Sequence, residues 1–163
     1  MTKSGIIWRA VVAAIILIAA YHWFQNVTQG EEGRVRQCIL AAKKAVEEKN
    51  LFAIDDMISR SYQDTYGNDR ESLLYGIKEV LDYYERIFIS IESITISLDE
   101  AKTQAEAEVV AVAIGVDRQK NKESFFEGEK GRIKARFVKE ENTWRLAEIT
   151  FFEPMTLMGQ TIA

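Results

Sequence analysis

Four residues have side chains that could do chemistry together: Tyr62, Asp64 and Tyr66 in the stretch Ser59-Arg-Ser-Tyr-Gln-Asp-Thr-Tyr66, and Tyr84 further along. A tyrosine near an aspartate can supply a hydrogen-bond donor and a general base. Asp55 and Asp56 widen the choice of carboxylate. Aromatic packing at the rim of a core, or contact with a ligand without catalysis, would use the same residues. Other chemistries are poorly supplied. The chain has one histidine, His22, and one cysteine, Cys38, which excludes a disulfide scaffold and a cysteine-based metal cluster. Gly128-Glu-Lys-Gly131 lacks the spacing and the following helix of a phosphate loop. No catalytic residue, metal ligand or cofactor is therefore assigned from sequence.

Two further features invite a functional role. Cys38 falls on an apolar helical stripe, where a buried, inert thiol is the simplest expectation. Arg132, Lys134 and Arg136 share one strand face and form a candidate docking stripe for an acidic partner or anionic headgroups. Cross-strand pairing with Glu106 and Glu108 would neutralise that stripe instead. Lys3 and Arg9 are the only lysine or arginine among the first thirty residues, and all 25 acidic residues come later. An exported part this acidic is a poor partner for nucleic acid, which needs a positive field.

From Ile6 to Phe24 the chain reads IIWRAVVAAIILIAAYHWF. As a helix this run rises about 28 Å, close to the thickness of a hydrocarbon core. Arg9 can snorkel beside Lys3, while Trp8 at one end and Tyr21, Trp23 and Phe24 at the other resemble interfacial aromatic belts. Residues 1–25 are expected to form a single membrane anchor, with the N-terminus cytoplasmic and the rest of the chain exported. A cleaved signal peptide is the competing expectation. Residues 26–33 then make a short linker before a domain spanning 34–163.

Within that domain Val35, Cys38, Ile39, Ala42, Ala45 and Val46 recur at helical spacing. Leu51 to Ile58 suggests a shorter helix, and Asn68 or Asp69 is a good N-cap for a third, bearing Leu73, Ile77, Val80, Leu81, Tyr84 and Phe88 on one face. After residue 88 the period changes to two, and its parity slips between Ile91 and Ile94, which predicts a bulge near Glu92-Ser93. Three more strands are expected: Thr103 to Asp117, Ser124 to Lys139 with bulges at Gly128 and Gly131, and Thr143 to Glu153, stopped by Pro154. The second carries a face of small residues, from Ala105 to Gly115. The fold class is α+β, three helices gathered on a curved antiparallel sheet.

This order, the stretch Tyr62–Tyr66 and the closing hairpin from Ile133 through Trp144 to Phe151 resemble the nuclear transport factor 2-like, or SnoaL-like, superfamily. The resemblance covers residues 31–153 and implies a cone, a bent sheet wrapped around the first helix. The superfamily hosts enzymes, ligand binders and assembly subunits, so it leaves function open. The resemblance implies a homodimer through the open sheet face. The expectation is a membrane-anchored binding or assembly module, a homodimer or part of a membrane-protein complex. The alternative is a small-molecule binder or a ketosteroid-isomerase-like enzyme using the cone cavity, with Tyr62, Asp64, Tyr66 and Tyr84 in it.

Overall fold

The computed structural model describes residues 30–117 and 126–155. The apolar run 6–24, residues 118–125 and the last eight residues lie outside them. Among the described residues no helix is long and apolar enough to cross a membrane.

Helix α1 spans Glu31–Glu47 and so takes in residues expected to belong to the linker. Glu31 and Glu32 sit in its first turn, where acidic side chains complement the exposed N–H groups. Helix α2, Leu51–Asp56, is capped by Asn50, whose side chain accepts from the Ala53 N–H. Helix α3, Arg70–Tyr83, is capped by Asp69, which accepts from the Ser72 N–H, so of the two expected caps the second serves. The chain leaves α3 directly into a strand, because Tyr84 already has extended geometry.

Four antiparallel strands follow in the order β1-β2-β3-β4: Tyr84–Leu98, Gln104–Asp117, Phe126–Glu140 and Thr143–Met155. The predicted bulge is present, as a register shift between Ile91 and Ser93. The expected bulges at Gly128 and Gly131 are not, since β2 and β3 stay in register through both glycines. The shifts of β3 against β4 fall at Lys134/Ala135 and Arg136/Phe137. Gly131 has a packing role instead: a Cβ there would come within 3.0 Å of the Phe152 ring. Nor does Pro154 stop β4, which pairs it with Gly131 and continues to Met155. β4 is an edge strand, so the missing proline N–H costs no ladder bond there.

The helices lie on one face of the sheet, over two apolar clusters. In the first, Val35 and Ile39 of α1 pack on Ala105, Ala107, Ala135, Phe137 and Trp144. The alanines of β2 admit the helix closely, which accounts for that half of the small-residue face. In the second, Ala45, Ile54, Ile58, Tyr62, Leu81 and Ile87 are buried together. Glu31 locks the first cluster: its carboxylate accepts from Lys139 Nζ at 2.9 Å and Trp144 Nε1 at 2.8 Å. These bonds hold the Glu31 carboxyl below its usual range.

Backbone groups on both sheet edges are occupied. Along β4, the connector between α2 and α3 pairs with the outer backbone: Leu146 N donates to Met57 O, Ser59 N to Leu146 O and Gln63 N to Ala147 O. Phe152 N donates to the Tyr66 hydroxyl. Along β1, α1 and the residues after it do the same with side chains. Glu47 accepts from Ile89 N, Arg36 donates to Ile94 O and Lys49 donates to Tyr84 O.

Candidate functional site

Three of the four chemistry-bearing residues come together in the turn that leads into α3. Asp64 is buried, and each of its oxygens accepts twice. Oδ1 takes the backbone N–H groups of Tyr66 at 2.9 Å and Asn68 at 2.8 Å. Oδ2 takes the Tyr62 hydroxyl at 3.0 Å and Asn68 Nδ2 at 2.9 Å. An ionised carboxylate has about four lone-pair positions, and here all are filled from its own turn. Burial pushes the Asp64 carboxyl up, but the bonds from Asn68, Tyr62 and Tyr66 outweigh it and hold it below its usual value. Tyr62, 3% exposed, is pushed the other way, by burial first and by Asp64 second.

This geometry does the opposite of what a general base needs, a free lone pair and a pKa near the working pH. The turn is an organiser. It sets up Gly67, the one described glycine with positive φ (+88°), and delivers the chain to the α3 cap. Tyr66 is 59% exposed and spends its oxygen on β4. Tyr84 lies elsewhere, at the start of β1, packed against the second apolar cluster. Its ring occupies the space over Gly115, where a Cβ would stand 2.8 Å from the ring Cγ, and it meets Tyr83 edge to face at 4.8 Å. The other half of the small-residue face is thus partly filled by a tyrosine. Ala111 and Ala113 beyond it are more open.

The basic stripe is paired within the chain. Arg132 faces Glu108 at 3.7 Å and Glu153 at 3.8 Å, Lys134 faces Glu108 at 3.4 Å, and Arg136 faces Glu148 at 2.8 Å. The expected partner Glu108 is used, whereas Glu106 stands opposite Arg136 in register but yields its place to Glu148. Cys38 is half-buried and donates to Trp144 O at 3.4 Å. Burial pushes its thiol up to about 11, so it is a poor nucleophile at neutral pH. Among the described residues no group of histidine, cysteine, aspartate and glutamate could hold a metal ion.

One surface was expected only as an open sheet face, without its residues. The even positions of β2, Val110, Val112, Ile114 and Val116, point to the face opposite the helices. They are half-buried, belong to neither apolar cluster and neighbour Phe88, which is 48% exposed. The bulkier side chains of β2 therefore stand outside and the alanines inside. The signal was present in the sequence, as apolar residues at both parities of one strand, the pattern of a strand covered on both faces.

Several solved structures share this fold. A nuclear transport factor 2-like superfamily protein from Salmonella enterica matches with a TM-score of 0.66 at 10% identity, over 82% of this chain and 96% of that one. A proposed scytalone dehydratase from Novosphingobium aromaticivorans matches with a TM-score of 0.66 at 10% identity, over 75% and 82%. A hexachlorocyclohexane dehydrochlorinase matches with a TM-score of 0.59 at 9% identity, over 77% and 88%. At such identities the likeness speaks for fold alone. No curated protein sequence matches the chain. The SnoaL-like domain model matches residues 35–151, from the first buried residue of α1 to the last strand, and the chain belongs to the SnoaL-like domain family.

Proposed function

We propose that this chain is a membrane-tethered assembly module, whose SnoaL-like domain pairs with a second copy through the outer face of its sheet. The observation that carries the proposal is the inverted strand β2. Val110, Val112, Ile114 and Phe88 form an apolar strip that no described element of the chain covers. The charges beside it are internally matched, Lys130 with Glu92 and Arg132 and Lys134 with Glu108, so a copy can lie against it without like charges meeting. The run Ile6–Phe24 would hold the domain at a bilayer, its N-terminus cytoplasmic and the domain exported.

An enzymatic role is the runner-up, since the similar structures include a proposed dehydratase and a dehydrochlorinase. Proton transfer at Tyr62 and Asp64 is disfavoured by the four bonds that saturate the carboxylate. The chain's one histidine, His22, lies in the apolar run.

Sedimentation velocity of the full chain in mild detergent tests the proposal. The native chain is expected to sediment as a dimer, and Val112→Glu as a monomer with unchanged circular dichroism. Phe52→Ser, on the most exposed aromatic among the described residues (84%), is the control and leaves the dimer intact. A native monomer at tens of micromolar, or a Val112→Glu dimer, would reject the sheet-face assembly. Alkaline extraction of membranes tests the tether: release of the chain into the supernatant would reject it.

A further inference from the structure

Helix α3 leans on β1 and α2 and leaves a gap to α1. The gap is a groove of about 350 Å³, walled by Val46 of α1 and by Leu73, Ile77, Val80 and Leu81 of α3. Its volume falls in the range of small-molecule sites, roughly 300 Å³ upward. Gly76 stands in the same wall. It is in a helix interior, where glycine is a poorer choice than alanine, and a Cβ added there would meet nothing within 4 Å. The chain's own packing therefore gives no reason for a glycine, while an object lying in the groove would.

The two polar lining residues, Asn68 and Ser72, sit at one end. The Ser72 hydroxyl proton is committed to Asp69 Oδ1 at 2.7 Å, so toward the groove this oxygen can only accept. Asn68 Nδ2 donates to Asp64. One hydrogen bond behind the groove's polar end therefore stand two carboxylates, Asp64 and Asp69, both held ionised by the donors around them. The cations of α3 offset them little, because Arg70 is engaged with Asp55 and Lys78 with Asp82. An apolar slot that ends in acceptors and negative charge is complementary to one kind of molecule.

We propose that the groove between α1 and α3 binds a small apolar amine, its body against Leu73, Ile77 and Val80 and its ammonium at Asn68 and Ser72. An anion of the same shape is excluded by Asp64 and Asp69, and a neutral alcohol gains the hydrogen bond to Ser72 without the charge attraction. The site is lined by α1, α3 and the turn before α3 and shares no residue with the outer sheet face, so it stands or falls independently of dimer formation.

Methyl-resolved NMR of the full chain in lipid nanodiscs tests this, with benzylamine, benzyl alcohol and benzoate as probes. Benzylamine is expected to shift the methyl signals of Leu73, Ile77 and Val80 saturably, with benzoate binding at least about tenfold more weakly. Gly76→Leu fills the groove and should abolish the shifts. It should fold, because its Cβ has open space and leucine is the better helix former. Val80→Lys, at a position 49% exposed, puts a charge against the apolar body of the groove and should also abolish them. Equal binding of benzoate, shifts that do not saturate, or native-like binding by both variants would overturn the proposal. Shifts that follow protein concentration instead of amine would overturn it too, and assign the groove to contact between copies.

Discussion

Replacing Asp64 by alanine separates an organising carboxylate from a catalytic one. The substitution removes four hydrogen bonds. The N–H groups of Tyr66 and Asn68 lie on a largely exposed turn and regain water, so their net loss is small. The Tyr62 hydroxyl is buried and loses its acceptor, which costs about 1–3 kcal/mol by itself. Together the loss is about 2–4 kcal/mol, or a midpoint lowered by about 10 °C for a domain of this size. Tyr62→Phe alone should cost only about 1 kcal/mol, since it leaves no buried donor orphaned. In the double variant part of the Asp64→Ala cost should vanish, giving a coupling of about 1–2 kcal/mol. Asp64→Asn rescues little, because one amide oxygen serves at most two of the four donors. Thermal unfolding of the full chain in detergent, followed by circular dichroism, reads the native chain and all four variants.

The pH dependence of the same comparison is equally specific. The native Asp64 carboxyl is held below its unfolded value. Its stabilisation is therefore complete above the unfolded pKa and is lost as pH falls through the native one. The gap between native chain and Asp64→Ala should stay constant through neutral pH and shrink only below about pH 4. A gap that titrates between pH 6 and 7, or Asp64→Ala as stable as the native chain, would refute this account of the turn.

Three other outcomes follow from packing and burial. Gly115→Ala drives a Cβ into the Tyr84 ring and should destabilise by about 1–3 kcal/mol, with Tyr84→Ala in the same chain recovering part of the loss in unfolding experiments. Glu31→Ala removes the acceptor of Trp144 Nε1 and of Lys139, and should cost about 1–2 kcal/mol with an altered Trp144 emission spectrum. With its thiol raised to about 11, Cys38 should react slowly with iodoacetamide at pH 8 and speed up sharply on unfolding. Fast alkylation of the folded chain would contradict its burial.

Most elements were legible because side-chain period survives without coordinates. The bulge after Ile91 was visible since it changes which parity is apolar. The shifts opposite Lys134 to Phe137 carry the same kind of signal, since the buried side chains of β4 pass from even Trp144 to odd Ala147, but one small alanine marks the change only weakly. Gly131 and Pro154 misled for a related reason: glycine served the Phe152 ring, and proline sat where an edge strand needs no donor. At the candidate site, residue type pointed to Tyr62, Asp64 and Tyr66 as a group. Their role depended on which atoms fill the Asp64 oxygens, and two of those are backbone N–H groups that no residue type announces. The outer apolar strip was readable from the even positions of β2, which turn apolar from Val110 onward.

The occupied edges of the sheet limit what kind of assembly can form. An uncovered edge strand invites another strand, and that one another, so growth has no natural stop. Here the connector 57–66 occupies one edge, and Glu47, Arg36 and Lys49 occupy backbone groups of the other. Among the described residues this favours the face for a partner, and a face used by two identical copies about a two-fold axis is consumed when they meet. If the proposed tether and sheet-face pairing hold, many such domains on one membrane surface would saturate as pairs instead of polymerising, however crowded the surface became.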